Sequence, residues 1–406
     1  MTIFIEQEYA DTPQGAAETD VVAKAAALCL RLRERATETD RLARLPESTV
    51  ADLEEARLFE ITTPRRYGGL QLDVRTFMDA MVELGRGDAS VSWVATLVNI
   101  NNWFIATLFP PQVSEEVFAK PGARVAAVLQ PRSCKVRRVS GGFHIEHGLW
   151  PFNSGVYHAQ WDMLGFPVFD EAGVFQHLAF AVLPIADVRI LDDWDTIGVR
   201  GSGSSSVAVR DVFVPDIRIS RPDSARFGKY KSTQLEHEWL YRAAFTPLAQ
   251  IIIAFPVLGA GLAALDVFMA QLPKRAITAS PYSKQGEAPV THLQLGEASA
   301  KIDAARMIIA NAADEIERHA KAGSSMDHMT QARIRRDTGF ASRLVWEGID
   351  ILAGACGGSF ASVAHPLNRI WHDARVASLH ASLVPSTVFE LYGRMMCGLD
   401  PWGMSL

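Results

Sequence analysis

The chain has 406 residues, 48% of them hydrophobic and 21% charged, which is enough for two or three packed units with sizeable cores. Its net charge of −6, with no basic cluster longer than Arg65-Arg66 or Arg335-Arg336, argues against a surface that tracks phosphates, so no nucleic-acid partner is expected. The longest apolar runs, such as Ile251 to Leu258, fall short of the roughly 20 residues of a spanning helix, so no membrane partner is expected either.

The first residues, Met1 to Glu8, are acidic and lack a secretion-type pattern, which makes the cytoplasm the expected compartment. The four cysteines, Cys29, Cys134, Cys356 and Cys397, form no Cys-x-x-Cys pair. They are read as reduced and mostly buried, with no metal frame among them.

In chain order, helical periodicity marks Val21–Thr37, Pro46–Ala56, Val74–Arg86 and Ala89–Phe109. From about Arg124 the pattern shortens to β-rich runs at Val125–Leu129, Phe143–His147, Asp162–Phe166, Leu178–Leu183, Val188–Leu191 and Ser205–Val209. A polar linker from Ser220 to Glu238 leads back to helices. There Leu295, Ala298, Ile302, Ala305, Ile309, Ala312 and Ile316 alternate spacings of three and four, the seam of a helix lying along another. Phe340 to Leu352 forms a second such element, running into Gly354-Ala355-Cys356-Gly357-Gly358, and a third spans Arg369 to Met396. The expected organisation is a helical domain over 1–121, a central β domain over 122–225 and a helical bundle over 226–406. The fold class is α+β, mainly α.

Four segments carry a resemblance. Pro64-Arg65-Arg66-Tyr67-Gly68-Gly69 is a turn whose glycines give backbone freedom. Trp150-Pro151-Phe152-Asn153-Ser154-Gly155 continues through Tyr157-His158-Ala159 to Trp161, offering flat apolar walls with a few aimed polar groups. Gly198-Val199-Arg200-Gly201-Ser202-Gly203-Ser204 is a hydroxyl-rich loop able to approach a cofactor closely. His365-Pro366-Leu367-Asn368-Arg369-Ile370-Trp371-His372-Asp373-Ala374-Arg375 leads to His380. In this order they resemble the acyl-CoA dehydrogenase fold superfamily, and within it the two-component flavin-dependent monooxygenases.

The resemblance implies an N-terminal helical domain, a central β-barrel or sheet domain and a C-terminal four-helix bundle. It also implies a flavin, reduced FMN or FAD, lying between the β domain and the bundle. Trp150, Phe152, Asn153, Ser154, Arg200, Ser202 and Ser204 are then expected to bind it, with Arg275 directed at its phosphates from a neighbouring subunit. Trp103 and Trp161 join the apolar wall. Counted from Asp373-Ala374, the glutamate that dehydrogenases use to remove an α-proton falls on Ala381, and the preceding tyrosine on His380. In the monooxygenase branch the histidine faces flavin C4a, where imidazole can hydrogen-bond a phenolate or peroxide with a pKa near working pH.

Phenol hydroxylases of this branch carry His-Asn-Trp where this chain reads Asn101-Asn102-Trp103. An amide orients a substrate but takes no proton, which leaves other aromatics, polyketides and amines open beside phenols. The expected catalytic residues are His380, Asn101 and Ser154, with a substrate pocket of Asn101, Trp103 and His380.

The implied reaction takes O2 and reduced flavin from a separate NAD(P)H:flavin reductase, through a C4a-hydroperoxyflavin, to a small-molecule substrate. No Gly-x-Gly-x-x-Gly nicotinamide site follows a strand, in keeping with a second chain as reductase. Two alternatives remain open at this point: a dehydrogenase or desaturase with a displaced base, and a non-catalytic binding module. The heptad seam and glycine-rich helix end suggest subunits packing bundle to bundle, and the resemblance implies a homotetramer, as in tetramers of that fold.

Overall fold

The computed structural model describes residues 13–227 and 229–401. The chain opens with helices α1 (Pro13–Leu42), α2 (Glu47–Glu55), α3 (Val74–Gly87), α4 (Ala89–Leu108) and α5 (Pro111–Val117). Local chemistry sets the breaks. Asp73 caps α3 through Thr76 N–H at 2.7 Å, and Asp88 caps α4 through Ser90 N–H at 2.8 Å.

Eight strands follow: β1 (Val125–Val128), β2 (Ser133–Val139), β3 (Gly142–Trp150), β4 (Trp161–Phe169), β5 (Phe175–Pro184), β6 (Arg189–Ile190), β7 (Val207–Pro215) and β8 (Ile219–Ser220). They form two four-stranded sheets, ordered β1-β4-β5-β8 and β2-β3-β7-β6. β1 runs parallel to β4, with Val125 opposite Trp161, and the other pairings are antiparallel. Ile145, Trp150, Leu164, Phe166, Ala181 and Val207 fill the core between the sheets. The sequence reading lacked β2, whose Lys135, Arg137 and Arg138 give a charged edge strand instead of apolar alternation.

The last third comprises α6 (Phe245–Ile251), α7 (Ala254–Gln271), α8 (Pro289–Ala322), α9 (His328–Ala355), α10 (Pro366–Ala377) and α11 (Pro385–Met396). The helical stretch Phe245–Lys274 is long and apolar enough to cross a membrane, but 78% of its most apolar window is buried inside the protein. It is the core helix of the bundle and passes α3 at close range: a Cβ on Gly259 would lie 2.5 Å from the Gly85 Cα. Only glycines permit that crossing.

Three expectations change here. The seam from Ala298 to Ile316 is buried within this chain, where α8 packs along α9 and α7, so it carries no information about subunits. The expected helix from Arg369 to Met396 is two helices, because Pro385 starts a new one after the loop that holds His380. Of the four cysteines only Cys356 is buried, and Cys397 is exposed.

Candidate functional site

A cavity of about 1100 Å3 lies where the N-terminal helices, the β region and the bundle meet. Trp93, Leu97, Ile100, Asn101 and Phe104 line it from α4, spaced by four, three, one and three along one helical face. Pro151, Phe152 and Ser154 come from the turn after β3, and Trp194, Thr196, Val199, Ser202 and Ser204 from the loop before β7. The bundle contributes Phe245, Thr246, Ala249 and Gln250 of α6, Arg335 of α9, and Leu379, His380, Ala381 and Ser382 after α10.

The hydroxyls form a ledge. Ser154 Oγ lies 2.7 Å from Ser204 Oγ, which lies 2.6 Å from Ser202 Oγ. Trp93 donates its indole N–H to Ser154 Oγ at 3.1 Å, and its ring meets His380 edge-on with centroids 5.8 Å apart. Trp93 was absent from the sequence reading, although it lies on the same face of α4 as Asn101, two turns earlier.

His380 projects into the cavity: its surface is open, yet protein surrounds the ring, and burial pushes its pKa down to about 4. Ser382 N–H donates to His380 Nδ1 at 3.2 Å, so the neutral ring carries its proton on Nε2. The expected pKa near working pH is therefore corrected: the ring is a neutral donor. Asn101 donates Nδ2–H to Val125 O at 3.0 Å, which leaves its carbonyl oxygen as an acceptor for a ligand.

Two side chains of the cavity sit on strained backbone. Phe152 has φ +65° and Val199 has φ +51°, the second unusual for a β-branched residue. Val199 is held from both sides: its N–H donates to Asp373 Oδ1 at 2.6 Å, and its carbonyl accepts from Trp194 Nε1 at 3.2 Å. Burial first, then the neighbouring Asp88, raises the Asp373 pKa, and burial does the same to Asp88.

Several expected residues point elsewhere. Trp103 is fully buried and donates to Leu240 O at 3.0 Å, because two helix positions after Asn101 is the opposite face. Trp150 lies in the core between the sheets, donating to Gly165 O at 2.7 Å. Asn153 turns inward to Asp162 at 2.7 Å, one residue before Ser154 turns to the cavity. Arg200 braces its loop on α1, donating to Asp40 O at 3.0 Å and Thr196 O at 2.6 Å. Arg275 does not line the cavity; it lies by Gln271 and Gly357. Trp161 does not line it either and stacks with Arg218.

The lining suits a flat heteroaromatic ring: Phe152, Trp194 and Leu379 provide apolar faces, and the serine ledge provides hydrogen bonds at one edge. Room remains for a substrate toward the bundle. No Asp or Glu lines the cavity among the described residues, and Ala381 is one of the lining residues.

Residues 18–112 match the acyl-CoA dehydrogenase N-terminal domain and residues 251–385 the acyl-CoA dehydrogenase C-terminal domain. The chain is similar to the flavin-dependent monooxygenase oxygenase subunit HsaA of Rhodococcus jostii, 31% identical over 92% of this chain and 97% of that one. It is 27% identical to the FADH(2)-dependent resorcinol hydroxylase oxygenase component of a Rhizobium species, over 94% and 95% of the two chains. Among solved structures, XiaF from Streptomyces in complex with FADH2 and glycerol superposes with a TM-score of 0.90 at 32% identity, covering 97% of this chain and 98% of that one. The HsaA monooxygenase from Mycobacterium tuberculosis gives 0.88 at 28%, covering 95% and 98%.

Proposed function

Because the chain belongs to the two-component flavin-dependent monooxygenases built on the acyl-CoA dehydrogenase fold, we propose that its cavity holds reduced FMN or FAD beside a small aromatic, polyketide-like or amine substrate and transfers one oxygen atom from O2 to it. The observation that carries this reading is the cavity's composition. It joins a hydroxyl ledge, a neutral histidine and apolar walls, with no carboxylate among the described lining residues to remove an α-proton. The relative named for FADH(2) and the FADH2-bound neighbour favour FAD.

A bound reduced flavin supplies the two electrons that activate O2. The chain supplies the rest. Ser154, oriented by Trp93 N–H and Ser204, hydrogen-bonds the flavin edge. Phe104, Phe180, Phe245 and Ile253 keep water from the reacting atoms. His380 Nε2–H and the Asn101 carbonyl oxygen orient the substrate, one as donor and one as acceptor. Among the described residues that line the cavity the one arginine, Arg335, stands on a bundle helix and not on the loops of the serine ledge, so a further cation suits the flavin phosphates, and Arg275 of a neighbouring copy fits that need.

A homotetramer is part of the proposal. Leu293 and Met307 on α8, Val363, and Met396 at the end of α11 are exposed apolar side chains that subunit contacts would cover. A separate NAD(P)H:flavin reductase in the same cytoplasmic compartment completes the system.

The test is anaerobic. Protein loaded with reduced FMN, then with reduced FAD, is mixed with oxygenated buffer and followed by stopped-flow absorbance, with and without candidate substrates. A transient species that outlives the reoxidation of free flavin supports the oxygenase. Reduction of bound oxidised flavin by an acyl thioester alone would instead establish the dehydrogenase, and absence of flavin binding would establish a non-catalytic module.

A further inference from the structure

The loop that carries Ser202 and Ser204 sits in a slot between three helices. At one end a Cβ on Gly198 would lie 3.0 Å from the Asp373 nitrogen of α10. Three residues on, a Cβ on Gly201 would lie 2.9 Å from Ser90 Cβ of α4 and would also strike Thr39 Cγ2 of α1. Between them stands Val199, left-handed at φ +51°, whose N–H donates to Asp373 Oδ1 at 2.6 Å. Ser202 and Ser204 follow at once, so the spacing of α4 and α10 sets where the serine ledge lies.

Carboxyls occupy both walls of that slot. Asp373 of α10 and Asp88 at the start of α4 are 3% and 5% exposed, and Asp40 of α1 is partly buried beside them. Arg369 acts on all three. His372 and Arg200 act on Asp40, and Arg200 also pairs with Asp195 at 3.1 Å. Of the other helices packed on α10, α7 has one charged residue, Asp266, held by Arg33 and Arg86. The third, α9, directs Asp350 to Trp371 on the opposite face of α10 and pairs Glu347 with Lys301 and Arg343.

One guanidinium does not balance three ionised carboxyls out of water, so one of the buried pair keeps a proton. Asp88 accepts from two backbone N–H groups at the positive end of α4, Ser90 at 2.8 Å and Val91 at 3.3 Å, whereas Asp373 accepts from Val199. The charge therefore rests on Asp88 and the proton on Asp373, whose pKa burial and then Asp88 push up to about 8. Loss of that proton sets like charges on facing walls. The repulsion drives α4 and α10 apart, and the gain is one stronger hydrogen bond to Val199.

Resting on the monooxygenase reading, we propose that Asp373 is a positioning residue for the flavin, holding Val199 and with it the serine ledge against the cofactor while it shares one proton with Asp88. Ionisation of both carboxyls widens the slot, frees the ledge and weakens flavin binding. Asp373 does not line the cavity, so it acts through the loop.

The experiment titrates oxidised FAD and FMN by fluorescence on the full chain from pH 6 to 9, for the wild type, D88N, D373N and D373A. Amide exchange of residues 194–206 is followed in the flavin-free protein over the same range, corrected for the intrinsic rate. In the wild type, flavin affinity falls about tenfold between pH 6.5 and 9, the linkage of a single proton, and the segment loses protection in parallel. D88N and D373N flatten both profiles, because at most one charge of the pair remains. D373A binds flavin more weakly than D373N at every pH, since asparagine keeps an oxygen for Val199 N–H and alanine does not.

A wild type flat in both measurements overturns the proposal, as does a fall that persists in D88N and D373N. Equal flavin affinity of D373A and D373N overturns it too; if D373A does not fold, the D88N and D373N profiles decide. A wild type that binds no flavin at any pH fails the monooxygenase reading instead, and the exchange profiles of the flavin-free chain still decide the role of the pair.

Discussion

Trp93 and Ser154, 61 positions apart, are joined by a 3.1 Å hydrogen bond from the indole N–H to the hydroxyl oxygen. The bond fixes the turn after β3 to helix α4. It also fills an acceptor position on Ser154, so the serine hydrogen points to Ser204 or to a ligand in the cavity. Trp93→Phe keeps an aromatic ring beside His380 and removes the donor together with part of the buried indole. The expected stability loss is about 1 kcal/mol, with a roughly tenfold weaker flavin affinity. Urea unfolding and flavin titration of the same sample check both; unchanged flavin affinity would show that Ser154 is oriented without Trp93.

His380 gives a pH prediction whose sign follows from burial. Its folded pKa of about 4 lies below the ordinary histidine value of 6.5, so the folded state prefers the neutral ring. Lowering the pH from 6.5 toward 4 protonates the unfolded chain first, and stability falls across that window. Activity should stay flat, as far as His380 is concerned, from pH 6 upward and decline only toward pH 4. His380→Ala should lower kcat/KM by about 100-fold through loss of a positioned donor, and His380→Gln should recover part of it with its own amide N–H. An activity limb at pH 6.5 that vanishes in His380→Ala would mean that the ring works by accepting a proton.

The order of helices, strands and bundle was legible because periodicity survives in long apolar segments such as α4 and α8. His380, Asn101 and Ser154 were reachable through local motifs. The direction of individual side chains was not. Asn153 and Ser154 differ by one position, and the left-handed Phe152 before them decides which faces the cavity. Arg200 reads as a flavin-binding residue until Asp40 and Thr196 are seen to occupy its guanidinium. Arg335 and Gln250 carry no motif, and only the packing of α6 on α9 makes both part of one cavity lining.

Asp162 tests the support beneath Ser154. It is fully buried, accepts from Asn153 Nδ2 at 2.7 Å, and burial pushes its pKa up to about 7 from 3.8. Raised carboxyl pKa values act in one direction: the stabilising contribution is complete below pH 4 and is lost as pH rises through 7. The cost of ionising it is on the order of 4 kcal/mol at pH 8. Asp162→Asn keeps an oxygen for Asn153 and cannot ionise. Urea unfolding should therefore show the variant close to wild type at pH 4 to 5 and more stable at pH 8. A variant equally destabilised at both values would mean that the carboxylate itself is needed.

Gly198 tests whether the loop bearing Ser202 and Ser204 must lie flat on α10. A Cβ there would meet His372 O at 2.3 Å and the Asp373 nitrogen at 3.0 Å, both backbone atoms that cannot rotate away. Gly198→Ala therefore separates the loop from α10 and stretches the 2.6 Å bond between Val199 N–H and Asp373, beside the site. The expected cost is about 1–3 kcal/mol, as for overpacking elsewhere in a core, together with weaker flavin binding. Gly296→Ala on α8 is the matched control: open space surrounds its Cβ position, and alanine favours a helix by up to about 1 kcal/mol over glycine. Thermal unfolding and flavin titration of the pair separate the two cases. If Gly198→Ala melts with the wild type and binds flavin equally well, the contact with His372 does not set the loop's position, and the left-handed Val199 must be held by Asp373 and Trp194 alone.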